Sequence, residues 1–383
     1  MIGVDLTYFD IGECKQGEVR QGIALVAVEL LDAFARMGLQ DHFCLISNSS
    51  QAEYIKTRFP GFSQCVIPCR LCELVYHVTK GQKTLHRFRK YMSGPKFLRA
   101  INHNQFSCIW YPYTAVNITT ISKKTPAVFT IHDLIPYHQE ETQEKWDAHY
   151  RLISRCEKIV TISDFVRQDV VDTFGCFEKM AGVIPNSIDL HLKARAGLEV
   201  TEKKYILCIN AYVPHKNTIT LLKAYAKIAD KTDLDLVCCG GRKDNLYWNL
   251  LNQYILEKGL QERVHLYLAI PEEQKNWLLE NAALFVTPSM NEGFGRTPVE
   301  AAICRVPVIS TKAASLVEAT QGLAHYYENP EDEEDLARMI MEYIENPDSS
   351  EALDRISKQL SEAYAPETCA KKYWEIFQEY EKV

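Results

Sequence analysis

The sequence predicts an α/β fold with two doubly wound, mainly parallel sheets. Short apolar segments of strand type alternate with longer segments of helical period in both halves of the chain, as in parallel sheets covered by helices. The length of 383 residues favours two domains. We place the first domain at residues 1–189, a polar linker at 190–204, the second domain at 205–365 and a terminal helical segment at 366–383.

The composition narrows the functional classes. A hydrophobic fraction of 46% and a charged fraction of 24% are typical of a globular protein, and the formal net charge of -7 argues against a nucleic-acid partner. No apolar run is long enough to cross a membrane, and the N-terminus lacks the basic region of a signal peptide. The 13 cysteines therefore indicate free thiols in the cytoplasm, and Cys69-x-x-Cys72 is interpreted as ordinary thiols rather than a metal or redox site.

The first half of the chain opens as strand, loop, helix and strand. The helix is predicted at Ile23–Met37, where apolar residues recur on one face. Ser163 is a suitable N-cap for a second helix at 164–174. The glycine-containing loop that ends at Gly22 is either a nucleotide-phosphate turn or an ordinary connection. The strands are expected at residues 1–6, 43–47, 108–111, 127–131, 158–162 and 183–184.

The second half repeats the alternation after the polar linker. Its strands are expected at residues 205–210, 234–239, 264–268, 284–287 and 306–310. Its helices are expected at residues 218–228, 271–281, from about 298, and 366–380.

Residues Leu284–Thr311 form a strand–loop–helix–strand unit whose loop follows a buried strand. Ligands of open α/β sheets bind at such carboxyl ends. We predict Thr297 as the N-cap and Pro298 as the first helical residue, so that the first-turn N–H groups favour an anion. Gly293 and Gly295 allow the backbone to come close to a ligand.

Two acids bracket this loop. The spacing from Thr297 to Glu300 fits a capping box, in which the glutamate bonds back to the N-cap N–H. Alternatively, the Glu300 carboxylate accepts hydrogen bonds from sugar hydroxyls. Glu292, which lies in the loop, is either a ligand contact or a solvated acid.

Polar residues also follow other predicted strands. His132-Asp133 follows the strand at 127–131 and is either part of the ligand crevice or a turn in which Asp133 caps the backbone. Lys216 precedes the helix at 218–228, where it either neutralises a diphosphate or is a solvated loop lysine.

The segment Lys80–Arg99 contains seven basic residues and no acid. Hydrophobic side chains are interleaved with the basic ones. Such a segment is either a helix that binds an anionic membrane surface or a solvated helix face.

Several stretches resemble one enzyme family. Glu292-Gly-Phe-Gly-Arg-Thr-Pro-Val-Glu300 resembles the Glu-(seven residues)-Glu signature of retaining GT-B glycosyltransferases of glycosyltransferase family four. Pro214-His215-Lys216-Asn217 is similar to the family's Pro-Arg-Lys-Asn, His132-Asp133 to its His-Asp motif, and Pro185-Asn186-Ser187 to its Pro-Asn-Gly. The resemblance implies two Rossmann-like domains that face a central cleft, with the terminal helix crossing back to the first domain.

The resemblance also implies residue roles. The first domain would hold the acceptor, and the second would hold the nucleotide-sugar donor. His132 would contact the donor sugar, Lys216 the diphosphate and Glu300 the ribose, while Glu292 would position the donor or stabilise charge. Further donor contacts are implied for Gly22, Asn186, Gly293, Phe294, Gly295, Arg296 and Thr297.

The implied activity is retaining transfer of a hexosyl group to a glycan or lipid-linked glycan in surface polysaccharide biosynthesis. GDP-mannose is the favoured donor because the His-Asp and Pro-His-Lys-Asn stretches look most like mannosyltransferase-type members. No cofactor is expected. We also expect no metal, because Asp233-Leu234-Asp235 lies at the start of a strand. Such an enzyme would work in the cytoplasm, either free or as a peripheral protein at the inner membrane face. A GT-B nucleotide-sugar epimerase and a catalytically silent nucleotide-sugar binding protein are the alternatives.

Overall fold

The structure is a computed structural model with two compact units. Unit 1 comprises Met1–Ser187 and Pro366–Val383, and unit 2 comprises Ile188–Ala365. The boundary between the two units thus lies after residue 187, two residues before the predicted boundary after residue 189. The described residues are 1–7, 22–49, 51–67, 98–113, 121–122, 124–135, 138, 151, 153–190 and 204–381.

Some predictions concern residues outside these ranges. The segments concerned are most of the linker at 190–204, the Cys69–Cys72 pair, the loop before Gly22, and the basic segment Lys80–Arg99 apart from its last two residues. Membrane binding by the basic segment therefore stays a prediction. In the described parts of the chain, no helix combines the length and the hydropathy that crossing a bilayer requires.

Unit 1 contains a parallel sheet of seven strands in the order β3-β2-β1-β4-β5-β6-β7. Its central strands β1, β4 and β5 are buried along their whole length, as their apolar sequences predict. The strands are β1 Ile2–Asp5, β2 Phe43–Asn48, β3 Ser63–Ile67, β4 Cys108–Tyr111, β5 Ala127–Ile131, β6 Lys158–Thr161 and β7 Met180–Val183. The helices whose bounds lie within the described residues include α1 Gly22–Arg36, α2 Ala52–Arg58 and α3 Asp164–Phe174.

The N-cap of α3 is as predicted. The Ser163 hydroxyl accepts a hydrogen bond from the Val166 N–H at 3.1 Å. At the other end of the helix, Gly175 adopts the left-handed conformation with φ 61°.

Unit 2 contains a parallel sheet of six strands in the order β10-β9-β8-β11-β12-β13. Because all strands run in one direction, the loops that follow β8, β11 and β12 emerge at the same edge. The strands are β8 Tyr205–Ile209, β9 Asp235–Gly240, β10 Val264–Leu268, β11 Leu284–Thr287, β12 Val308–Thr311 and β13 His325–Tyr327. The helices are α4 Thr218–Ala226, α5 Asn245–Glu257, α6 Glu272–Asn281, α7 Arg296–Ile303, α8 Leu316–Ala319, α9 Glu333–Glu345 and α10 Ser350–Ala363.

The terminal helix α11, Pro366–Glu381, packs on unit 1, as the resemblance implied. Its Tyr373 ring lies 5.0 Å from Trp110 of β4, and its Phe377 ring lies 6.4 Å from Phe34 of α1. The Tyr373 hydroxyl is 2.9 Å from the Thr130 hydroxyl, which also accepts a hydrogen bond from Trp110 Nε1. These buried aromatic side chains make the terminal helix part of the core of unit 1.

Candidate active site

The loop between β11 and α7 enters its helix through Gly295. This residue is the N-cap and has φ 87°, a conformation that glycine adopts without strain. A Cβ at Gly295 would also lie 2.6 Å from Leu316 Cδ2. The helix therefore begins at Arg296, and the prediction that Thr297 is the N-cap is wrong. Pro298 is the third helical residue, still in the first turn where no N–H is needed.

Glu300 is a buried acid that is paired with two cations. Glu300 is only 1% exposed to solvent. Arg296 Nε donates to Oε1 at 2.6 Å, and Lys275 Nζ donates to Oε2 at 3.3 Å. The capping-box interpretation is wrong, because Thr297 is not the N-cap and the carboxylate is held by these side chains instead.

The electrostatic surroundings keep the Glu300 carboxylate ionised. Burial by itself raises the pKa of Glu300, but the positive charges of Lys275 and Arg296 more than offset this, so the pKa lies below its ordinary value. The site therefore contains a fixed, buried negative charge with known partners.

Lys216 and Glu292, which the sequence analysis treated separately, form an ion pair. Lys216 Nζ lies 2.6 Å from Glu292 Oε2, and the two side chains are 15% and 13% exposed. Lys216 ends the short 3-10 turn Pro214–Lys216 that follows β8, while Glu292 lies in the loop after β11. The interpretations as a solvated lysine and a solvated acid are therefore wrong.

Hydrogen bonds to backbone carbonyls hold the loops around this pair. The Met290 N–H donates to the His215 carbonyl at 2.9 Å. The Ser315 hydroxyl donates to the Glu292 carbonyl at 2.8 Å, and the Thr311 hydroxyl donates to the Ser289 carbonyl at 2.8 Å. The loops after β8, β11 and β12 are thus joined, so Lys216 and Glu292 are fixed in position before any ligand binds.

His215 and Phe294 have surroundings that limit their roles. Burial, aided by the charge of Lys216, lowers the pKa of His215 to about 4, so this side chain adds no positive charge near neutral pH. The Phe294 ring packs edge-on against Tyr364, with the ring centroids 5.2 Å apart. Since the Phe294 side chain is in the core, a donor contact in this loop would come from its backbone.

His132 follows β5 at the carboxyl edge of the sheet in unit 1. Burial lowers its pKa to about 4, so it is neutral near pH 7. Its Nε2 is 2.8 Å from the Pro112 carbonyl oxygen, which accepts only, so Nε2 carries the proton and Nδ1 is an acceptor. Asp133 accepts a hydrogen bond from the Ile135 N–H at 3.1 Å, as the turn interpretation predicted.

Asn186 and Gly22 complete the predicted residues of unit 1. Asn186 follows β7 and is 8% exposed, and its Oδ1 has no hydrogen-bond partner among the residues that the structure describes. Gly22 is the first residue of α1, and a Cβ at this position would meet nothing within 4 Å. The donor contacts of both residues stay predictions.

The two halves of the chain match two family models. Residues 20–192 match "Glycosyltransferase Family 4", and residues 192–360 match "Glycosyl transferases group 1". The chain belongs to the GT-B glycosyltransferases of family four.

Curated relatives of this chain include two bacterial proteins. The O-antigen chain mannosyltransferase RfbU of Salmonella typhimurium is 29% identical over 208 residues, which are 53% of this chain and 57% of that protein. The O-antigen chain mannosyltransferase B of Escherichia coli is 29% identical over 252 residues, which are 61% of this chain and 65% of that protein. The matches therefore span less than two thirds of either relative.

Solved structures confirm the GT-B fold of this chain. Anabaena HepE in complex with UDP and glucose has a TM-score of 0.72 at 15% identity, covering 99% of both chains. A glycosyltransferase from Rickettsia africae has a TM-score of 0.74 at 14% identity, covering 100% of this chain and 98% of that one.

Two charged residues of the chain were not among those predicted from the sequence. Lys275 of α6 contacts Glu300 from another helix, and no local pattern marks such a contact. Asp5 ends β1 with no exposed surface, and burial raises its pKa to about 6. Asp5 could have been selected from the sequence, because it is an acidic residue at the end of an apolar strand.

Asp235 has the structural role that its place at the start of a strand predicted. It accepts a hydrogen bond from Arg263 Nε at 2.7 Å, and His265 Nε2 lies 3.5 Å from its second oxygen. Within the described ranges, no group of three histidine, cysteine, aspartate or glutamate side chains is arranged to hold a metal ion.

Proposed function

We propose that this protein transfers a hexosyl group from a nucleotide sugar to a glycan or lipid-linked glycan acceptor, with retention of configuration. The observation that carries the proposal is the ion pair of Lys216 with Glu292 at 2.6 Å, in loops that follow neighbouring parallel strands. The buried Glu300 belongs to the helix that follows the same loop as Glu292. Family membership supplies the reaction class.

Lys216 fits the diphosphate of the donor. Cleavage of the bond between the sugar and the diphosphate leaves negative charge on the departing group. The Lys216 side chain is 15% exposed, and backbone hydrogen bonds fix the turn that contains it. The lysine can therefore stabilise that charge without rearrangement. Glu292 neutralises Lys216 in the absence of donor, so an arriving diphosphate replaces the carboxylate as its partner.

The first turn of α7 adds a second positive region. Its N–H groups, beginning at Arg296, follow Gly295, whose lack of a side chain lets a phosphate approach the backbone. The helix dipole favours negative charge at this end.

Glu300 fits the ribose of the donor. Its carboxylate is ionised, and an ionised carboxylate accepts hydrogen bonds from vicinal hydroxyls. Holding the ribose fixes the distance from the sugar to Lys216, which positions the reacting bond.

The donor we propose is GDP-mannose, and the pathway is surface polysaccharide biosynthesis. Support comes from the two relatives named as O-antigen chain mannosyltransferases. A lipid-linked acceptor is supported by a Campylobacter jejuni relative, 30% identical over 146 residues, whose name describes transfer of N-acetylgalactosamine to a diphospho-undecaprenol glycan.

Incubation with GDP-mannose and a mannosyl acceptor tests the proposal. We expect release of GDP that depends on the acceptor, an α-linked product by NMR, and the same rate in the presence of EDTA. UDP-glucose serves as the comparison donor. A new nucleotide sugar formed without acceptor would identify an epimerase instead, and binding of nucleotides without any turnover would identify a silent binding protein.

A further inference from the structure

Lys275 is a partly buried lysine whose amino group contacts two acids. It lies on α6, and its side chain is 15% exposed. Its Nζ is 2.5 Å from Glu272 Oε1 and 3.3 Å from Glu300 Oε2. Burial lowers the pKa of Lys275, but Glu300 and Glu272 more than offset this, so the amino group remains charged.

The contacts of Lys275 and Arg296 hold the Glu300 carboxylate from two sides. Arg296 lies one turn earlier on the same helix and binds Oε1, whereas Lys275 comes from a neighbouring helix and binds Oε2. A contact to one oxygen alone would let the carboxylate rotate about its last bond. Each oxygen of an ionised carboxylate can accept more than one hydrogen bond, so both can still bind a hydroxyl.

We propose that Lys275 is a positioning residue that keeps the Glu300 carboxylate ionised and oriented towards the ribose of the donor. This assignment rests on the proposed function, in which Glu300 binds the ribose. Lys275 acts through Glu300 and touches no reacting atom.

The charged groups around Glu300 determine how its affinity for a ribose depends on pH. Helix α6 contributes Lys275 and Glu272, α7 contributes Arg296, and the thiol of Cys304 lies directly after the end of α7. Asp354 of α10 pairs with Arg305 instead. Strands β11 and β12 contain no titratable side chain. With Lys275 removed, Arg296 alone opposes the effect of burial, so the pKa of Glu300 rises.

The test compares Lys275→Met with Lys275→Arg by calorimetry. The probes are inorganic pyrophosphate and whichever of GDP and UDP binds the wild-type protein more tightly. In Lys275→Met we expect about tenfold weaker nucleotide binding near pH 7, as for the loss of a charged hydrogen bond. The ratio of the variant's Kd to the wild-type Kd should grow as the pH falls towards about 5, because Glu300 becomes protonated in the variant and stays ionised in the wild-type protein. The terminal phosphate of the nucleotide also titrates in this range, but it affects both proteins equally and cancels in the ratio.

Pyrophosphate separates the positioning role from a structural one. It lacks a ribose, so its affinity should be the same in the wild-type protein and Lys275→Met. Lys275→Arg should retain nucleotide affinity, and the matched control Lys227→Met, which breaks the exposed cross-helix pair with Glu334, should bind as the wild type does. In turnover, Lys275→Met should raise the donor KM more than it lowers kcat.

Three results would overturn the assignment. The first is unchanged nucleotide binding by Lys275→Met at every pH. The second is an equal loss of nucleotide and pyrophosphate affinity, which would show a phosphate contact or a distorted site. The third is a wild-type protein that binds neither nucleotide, which would overturn the proposed function itself.

Discussion

Replacing Lys216 with alanine is expected to lower the turnover of the nucleotide sugar by about 100- to 1000-fold. The variant lacks the fixed cation that faces the departing diphosphate, and it leaves Glu292 as an unneutralised acid at the same place. The remaining carboxylate repels the diphosphate, so nucleotide affinity should fall as well. Steady-state release of nucleoside diphosphate measures turnover, and calorimetry measures affinity.

The matched control is Lys227→Ala. Lys227 also forms an ion pair of 2.6 Å, with Glu334, but both side chains are more exposed and the pair joins the end of α4 to α9. Its loss should leave turnover within about twofold of the wild type, since exposed pairs contribute little. Equal activity of Lys216→Ala and the wild type would show that Lys216 does not stabilise the leaving group.

Replacing Glu300 with alanine is expected to lower the free energy of unfolding by about 3 kcal/mol near pH 7. The substitution leaves Arg296 and Lys275 in a buried site without the carboxylate that neutralises them. It also removes the proposed ribose contact, so nucleotide affinity should be lost. Urea unfolding followed by circular dichroism measures the stability, with Glu334→Ala as the exposed control, for which the change should be under about 1 kcal/mol.

The stability deficit of Glu300→Ala should shrink in acid. The pKa of Glu300 is lowered in the folded protein, so its contribution to stability is present above the ordinary pKa of a glutamate and is lost as the pH falls through the folded value. A deficit that is the same at neutral and acidic pH would contradict a stabilising role for the ionised carboxylate.

The central strands were predictable because they are continuous apolar runs. The central strands β4, β5 and β11 have the predicted bounds, and so does β10, an edge strand whose sequence is apolar apart from His265. Strands β3 and β13 were not predicted, and β7 was predicted at 183–184 instead of Met180–Val183; all three lie at sheet edges. An edge strand buries only part of its surface, so polar residues such as Ser63 and His325 interrupt the apolar pattern on which the prediction depends.

The candidate site was predictable where its residues belong to one local motif. Glu292, Lys216 and Glu300 were all selected from short stretches of sequence. The helix start was wrong because the left-handed conformation of Gly295 begins α7 before Thr297. Lys275 was missed because its contact with Glu300 depends on the packing of α6 against α7, which periodicity does not encode.

A crystal structure with bound nucleotide sugar tests the central claim most directly. We expect the diphosphate within hydrogen-bonding distance of Lys216 Nζ and the first N–H groups of α7, with the ribose hydroxyls on the Glu300 carboxylate. A nucleotide bound elsewhere, with Lys216 still paired to Glu292 and Glu300 away from the ligand, would contradict the account.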